Sequence, residues 1–466
     1  MLALFTAPSM AAGVSPYLPL KMAPEFEHLV ERLLAKTDKA DVMVKPYKAV
    51  DILRLLPQVQ TSDPVLYQQI NGYLKRFKKK AGKTHSKVQL SLTSREKTLA
   101  NQRGQNTENW LQIEGQAFYE VNPYLRFSGG GILNDENAIP TNTMMSFGYH
   151  YAQVDIGYRE HWYSPFNNGA MLISSHAEPT PTITISNYEP FTDFRVRYEM
   201  FLSKMDEQAA IKLGEQSTPG KPYLAGMHLS FALTDNFTIG LNRLMQFGGG
   251  LRSVGAKDVW QAFFDPVNKD NAQSGTDDFD DPNYEFGDQM ASITAKYNFS
   301  IFDFPVSIYG EYGGEDSAHH KNYRLGNLTQ SVGIFLPDVG DDHSLRFEVN
   351  DWHDQWYVHH LYSEGNSVDG HVIGHWGGDE RVFGKADGAT VYQLDWNWRY
   401  SSEKTLATQF KRITNDTQFV ADYVPGYEIK TRYSQFINNS FWGAELYMGR
   451  TVFDKNFVRI SAFYNW

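Results

Sequence analysis

Apolar residues recur at helical spacing from Pro24 to about Lys80. Phe26, Leu29, Leu33 and Leu34 form one stripe, Val50, Ile52, Leu53 and Leu56 a second, and Leu66, Ile70, Leu74 and Phe77 a third. The spacing predicts three short helices. Asp63 stands where a side chain caps the third, Pro64 suits its first turn, and Lys75, Arg76, Lys78, Lys79 and Lys80 complement the negative end of its dipole. That basic run has a second reading, contact with acidic lipid headgroups. After Gly82 the period changes to two. Val88, Leu90 and Leu92 alternate with Gln89, Ser91 and Thr93, Leu111 and Ile113 with Gln112 and Glu114, and Tyr392, Leu394, Trp396 and Trp398 with Val391, Gln393, Asp395 and Asn397. One face is apolar and aromatic throughout, as in a soluble sandwich or a membrane barrel.

The connections separate those two architectures. With a first strand near Lys87 to Leu99, every second connection is tight: Glu120 to Pro123, a hairpin at Ala152 and Gln153, Asn187 to Thr192, Thr234 to Asn236, Ser300 to Pro305, Pro337 to Asp342, Ser401 to Lys404, and Ile437 to Asn439. The others are longer and polar, the largest from Phe247 to Asp288 and from His353 to Gly388. Short turns on one side and long loops on the other, with strands of about ten residues, predict an all-β transmembrane barrel of about eighteen antiparallel strands. The last segment alternates Val458, Ile460, Ala462, Tyr464 and Trp466 with Arg459, Ser461 and Asn465, and a strand ending on an outward aromatic needs a neighbour to cover its edge. Closure onto the first strand supplies one, and such a strand resembles the C-terminal signal read by the barrel-assembly machinery.

The division expected is residues 1–11 as the remnant of a signal peptide, 12–84 as a small periplasmic α-helical bundle and 85–466 as an outer-membrane barrel. Met1 to Ala12 is apolar and ends in small residues, with Ser9 and Ala11 placed for cleavage, although no Lys or Arg precedes Leu2. The reading therefore expects export and a translation start further upstream.

Composition removes other classes. The 466 residues hold 43 Lys+Arg against 54 Asp+Glu, a net charge of −11, which argues against a nucleic-acid partner. There is no cysteine, so thiolate metal sites, thiol nucleophiles and disulfides are excluded. No apolar run is long enough for a helical membrane span. Neither a G-x-S-x-G elbow nor a P-loop is present, the nearest strings being Gly365 to Gly370 and Gly214 to Lys221. No enzyme and no cofactor is expected. His353, His359, His360, His371 and His375 share one loop, but without H-E-x-x-H they read as hydrogen-bonded histidines rather than metal ligands, and Asp277, Asp278, Asp280 and Asp281 read as a solvated acidic loop.

Sugars are held by aromatic faces together with planar polar groups, and two long loops carry both. One has Trp260, Phe263, Phe264 and Tyr284; the other has Trp356, Tyr357, Tyr362, His371, His375, Trp376 and Asp379. The competing reading makes these aromatics an interfacial girdle or the loops' own small core. On the lumen side, Arg195, Arg197, Lys430, Arg432 and Arg459 with Glu199 and Asp395 would form a salt-bridged plug, an assignment that a one-residue slip of register would reverse.

Tyr158-Arg159-Glu160-His161-Trp162-Tyr163-Ser164-Pro165-Phe166, Met171 to Ser174, Pro179 to Asn187, Gly240 to Gly250, Ala262 to Pro266 and the series Tyr362, Gly365, Gly370, Ile373-Gly374-His375 resemble the capsule-assembly Wzi family of outer-membrane proteins. The resemblance extends to Tyr17-Leu18-Pro19-Leu20 and the helical region. It implies an eighteen-stranded barrel with a periplasmic helical bundle, acting as a surface lectin that helps attach capsular polysaccharide, and it transfers no particular sugar-binding positions. The expected partners are capsular or exopolysaccharide outside and outer-membrane lipid around a monomer. The competing function is a diffusion channel for sugars or other small solutes.

Overall fold

The computed structural model describes residues 13–264, 286–302, 304–315, 325–340, 342–416, 422–437 and 440–466. The proposed leader, the acidic run from Asp277 to Asp281 and Tyr284 lie outside them. The three helices fall where the stripes place them: Pro24–Lys36, Ala49–Leu55 continuing as a 3₁₀ turn, and Pro64–Leu74. The Asp63 carboxylate accepts from the Leu66 amide at 3.1 Å and caps the third helix. Leu33, Ile52, Leu66, Ile70 and Phe77 meet in one apolar core beneath them.

Eighteen antiparallel strands form a closed barrel, the short segment Ala138–Pro140 pairing on the same neighbour as Thr143–Tyr149 and counting with it. The wall inverts the pattern of a water-soluble protein. On the first strand, Ala81–Thr93, Leu90 and Leu92 are 51% and 79% exposed while Gln89 and Ser91 are 7% and 6% exposed. Its polar positions face the lumen and its apolar ones face outward, where hydrocarbon removes them from water. Exposed aromatics collect at the strand ends, Tyr149, Tyr151, Phe302 and Trp442 at the short turns and Trp110, Tyr223 and Tyr427 at the long loops, as two interfacial girdles require. The last strand, Asn456–Asn465, pairs with the first from Lys87↔Asn465 to Thr93↔Arg459, and Trp466 exchanges backbone hydrogen bonds with Ser86 at 3.0 and 3.1 Å.

Several boundaries differ from expectation: the first strand ends at Thr93 rather than Leu99, and the connection expected to be tight from Asn187 to Thr192 runs on to Val196. The first strand begins at Ala81 rather than near Lys87, because Ala81 and Gly82 pair with Tyr119 and Phe118 and the Lys80 carbonyl accepts from Glu120. Residues 81–84 therefore belong to the wall, and a pairing partner more than thirty residues away overrides what the local basic run suggests. The second hairpin turns at His150 and Tyr151, so that Ala152 and Gln153 already belong to the following strand.

The lumen is filled from both ends. At the short-turn end the helical region docks through ions: Arg32 to Asp338 at 2.5 Å, Lys36 to Asp338 at 2.8 Å, Arg197 to Asp51 and Asp41 at 2.8 and 3.2 Å, Arg432 to Glu25 at 3.1 Å, and Arg346 to Glu31. Arg195 likewise reaches Asp41, so the register of the cationic rows is as expected, and their partners come largely from the helices. At the opposite end the long loops fold inward.

Removing the Arg197 guanidinium takes the closest cation from both Asp41 and Asp51, leaving them Arg195 at 3.5 Å and Arg54 at 3.6 Å, so Arg197→Ala should weaken docking of the helical region by about 2 kcal/mol. The expected outcome is faster proteolysis within residues 13–80 and transient conductance in planar bilayers where the native protein is silent. Deleting Trp466 should lower the yield of the compact, heat-modifiable gel species, because it removes both terminal seam bonds. Trp466→Phe, which keeps the backbone bonds, should restore that yield.

Candidate functional site

The segment from Arg159 to Pro181 leaves the strand Ala152–Tyr158 and descends through the lumen. Its charged residues Arg159 and Glu160 are buried, and each is answered. The Arg159 guanidinium donates to Glu199 at 2.6 Å, His161 Nδ1 lies 2.8 Å from the same carboxylate, Arg103 Nε donates to Glu160 at 2.6 Å, and Ser164 donates to Glu311 at 3.0 Å. Trp162 forms an antiparallel bridge with Lys45, at 3.0 Å in both directions, which ties the loop end of the lumen to the helical end. Sequence reasoning used this stretch for its resemblance and assigned it no structural work. The signal it missed was the density of charged and aromatic residues in a segment with neither helical nor strand period.

The His353–Gly388 connection packs on top of that segment. The Tyr357 hydroxyl accepts from the His375 amide at 2.8 Å and donates to the Met171 carbonyl, and Ser174 donates its amide to the Ile373 carbonyl at 2.8 Å. The close approach demands small residues. A Cβ on Gly374 would meet Met171 O and Tyr357 Oη at 2.4 Å, and one on Gly169 would fall 2.1 Å from the His375 ring. His375 is fully buried, its Nδ1 accepts from the Gly377 amide at 3.0 Å, and burial pushes its pKa down to about 3, so it stays neutral.

His176, His371 and Asp379 form a cluster with donor atoms within 4.8 Å of one another. The tautomer decides its chemistry. His176 Nδ1 accepts from the Asn101 amide at 3.2 Å, so its proton sits on Nε2 and is donated to Asp379 at 2.8 Å. A metal-bound imidazole turns its other nitrogen toward an acceptor, whereas here that nitrogen faces an N–H. The cluster is therefore a hydrogen-bond hub, to which His371 Nδ1 at 2.8 Å and the Val372 amide at 3.0 Å also contribute. Burial alone would raise the pKa of Asp379, but the two imidazoles outweigh it and hold the carboxyl well below its usual range.

The expected sugar-contacting residues divide accordingly. His371, His375, Trp376 and Asp379 come together, yet as structural parts. Trp356, Tyr362 and Trp376 are 0%, 1% and 2% exposed, which leaves no ring face open to a ligand. Trp356 donates its indole N–H to Asn327 O, Tyr362 donates to Gly248 O at 3.3 Å, and the Lys411 ammonium stands 4.3 Å from the Trp376 ring. These rings and His375 correct the expectation of direct stacking and match the competing one, a small loop core. The other loop carries a helix, Ala256–Phe264, whose Val259, Ala262 and Phe263 pack against Phe247 and Phe286. Trp260, on the opposite side, is 61% exposed; the Phe264 side chain is outside the described residues. Trp376→Ala should cost about 3 to 5 kcal/mol through the cavity it leaves. Trp260→Ala should stay within about 0.5 kcal/mol. Urea unfolding in detergent checks both, with protease sensitivity of residues 353–388 as a local readout.

The model of the family described as capsule assembly protein Wzi matches residues 78–450. Among solved structures, the chain is similar to Wzi from Escherichia coli, described as an outer membrane protein involved in group 1 capsule assembly and a carbohydrate-binding β-barrel, with 13% identity, a TM-score of 0.71 and coverage of 98% of this chain and 99% of that one. It is more distantly similar to Pseudomonas aeruginosa OccK3 (OpdO), with 8% identity, a TM-score of 0.49 and coverage of 84% and 97%, and to OccK5 (OpdH) of the same organism, with 9%, 0.48, 83% and 96%. No curated protein matches the chain. With a family model that spans well over half of its length, this chain belongs to the Wzi family of capsule assembly proteins.

Proposed function

We propose that the chain is a non-enzymatic lectin of the outer membrane that holds or organises capsular or related surface polysaccharide at the cell surface. Its helical region would lie on the periplasmic side and its long loops outside, with the barrel inserted as a monomer by the barrel-assembly machinery and surrounded by outer-membrane lipid. The family membership carries this reading. The description of the E. coli relative as a carbohydrate-binding barrel of capsule assembly supports it. The filled lumen weighs against the channel reading, since a diffusion pore needs a continuous water path, whereas here an ion-paired helical region stands at one end and interlocked loops at the other.

A polymer meets many copies of a surface lectin, so individual sites are allowed to be weak. Among the described aromatics expected to stack, Trp260 is 61% exposed, and a stacked ring contributes roughly 1 kcal/mol by comparison with aromatic pairs. Deleting the protein should shift polysaccharide from the cell pellet to the supernatant with total synthesis unchanged, and Trp260→Ala should produce a partial version of the same shift. Retention of polysaccharide by the deletion strain, or steady large conductance of the native protein in planar bilayers, would overturn the reading.

A further inference from the structure

A chamber of about 300 Å³ remains in the lumen between the helical region and the inward loops, at the lower end of ligand-pocket sizes. It runs from Asn101, Asn167 and Asn168 beneath the loops to Phe441 and Trp466 at the short-turn end. The wall is built for a polar guest. Nine Asn and Gln side chains line it, and its eight Lys and Arg outnumber its five Asp and Glu in a chain whose net charge is −11.

Several of those cations are already engaged, Arg346 by Glu31, Lys411 by Glu428 and Arg432 by Glu25. Three are not. Lys87 reaches only the Gln112 amide oxygen at 3.4 Å, Arg459 donates to the Asn109 carbonyl at 2.9 Å, and neither they nor Lys430 has a carboxylate partner among the described residues. Glu445 and Glu114 act on them from a distance, but Arg432 stands 3.9 Å from the first and His85 3.3 Å from the second. Lys430 and Arg459 both pair in register with Tyr447, so they stand in one row across three neighbouring strands, whereas Lys87, opposite Asn465, lies six residues further along the seam. A second observation points the same way. Gln112 Nε2, Arg432 Nη2 and Arg459 Nε are buried donors with no partner among the described residues, on residues 5%, 6% and 3% exposed.

We propose that this chamber is a saccharide site that takes a carboxylate-bearing sugar unit. The carboxylate would sit against Lys430 and Arg459, with Lys87 further along the chamber, and the ring hydroxyls would be met by the amides of Gln112, Asn168 and Gln409. Donors in excess of acceptors suit such a guest, because a carboxylate only accepts while each hydroxyl both donates and accepts. The proposal rests on the lectin reading and adds a point of recognition in the lumen to the one on the long loops.

The test uses the full-length protein in detergent, with calorimetry on a glucuronate-bearing tetrasaccharide and on the same tetrasaccharide with its carboxyl groups reduced to alcohols. The native protein should bind the acid form at least tenfold more tightly, and Lys87→Gln/Lys430→Gln should abolish that preference while the barrel remains heat-modifiable. Should the double variant not assemble, Lys430→Gln alone decides by the same ratio. Equal binding of the two forms, an unchanged preference in the variant, binding of neither, or displacement by inorganic phosphate at equal concentration would overturn the proposal. Failure here, with polysaccharide still lost from a deletion strain, would reject the chamber and leave the lectin reading standing.

Discussion

Hydrocarbon offers no hydrogen bond to a backbone amide, and the rest of this molecule follows from that deficiency. A strand exposed to lipid must pair on both edges, so the sheet closes, and the seam between Lys87–Thr93 and Arg459–Asn465 is as indispensable as any central pairing. Closure fixes which face each residue meets. Leu90 and Leu92 point to lipid, Gln89 and Ser91 to the lumen, and a slip of one residue would exchange them. The closed wall thus creates a second problem, an interior lined by polar groups that the backbone cannot satisfy.

The chain solves that problem with itself. Arg197, Arg346 and Arg432 on the wall are neutralised by Asp41, Asp51, Glu31 and Glu25 from the helical region, and Arg159 and Glu160 of the descending segment by Glu199 of the wall and by Arg103. Such pairs gain little net energy over apolar packing, yet each is costly to break, so they specify one seat for the helices more than they deepen its stability. A plug held by many such pairs loosens transiently, rather than leaving its seat, when any single one is lost.

The wall was legible in the sequence because its determinants are local. A period of two, outward aromatics and alternating loop lengths are set by neighbours in the chain, and the Asp63-Pro64 cap is contained in a few residues. The errors arose where a distant partner decides. Ala81 and Gly82 are strand because Tyr119 and Phe118 are there to pair, and the hub joins His176 to Asp379 across 203 residues. The aromatic loops show the same limit. Trp260 and Trp376 look alike in sequence, both among polar residues in long connections, and only the segment from Arg159 to Pro181, packed beneath the second, leaves one exposed and the other buried.

That burial changes where a carbohydrate can be recognised. Trp356, Tyr357, Trp376 and His375 give the loop cap a buried aromatic centre, so the cap would offer a sugar its rim rather than a deep groove. Recognition on a rim is shallow and gains strength by repetition along a polymer, whereas a lumenal chamber encloses one unit and discriminates by charge. The two modes are compatible in one molecule, because the descending segment both supports the cap from below and supplies Asn167 and Asn168 to the chamber's ceiling. Asn168 donates to Asp395 at 2.8 Å and accepts from Gln409 at 2.7 Å, so the ceiling is braced against the wall, and a guest in the chamber would bear on the same segment that positions the cap.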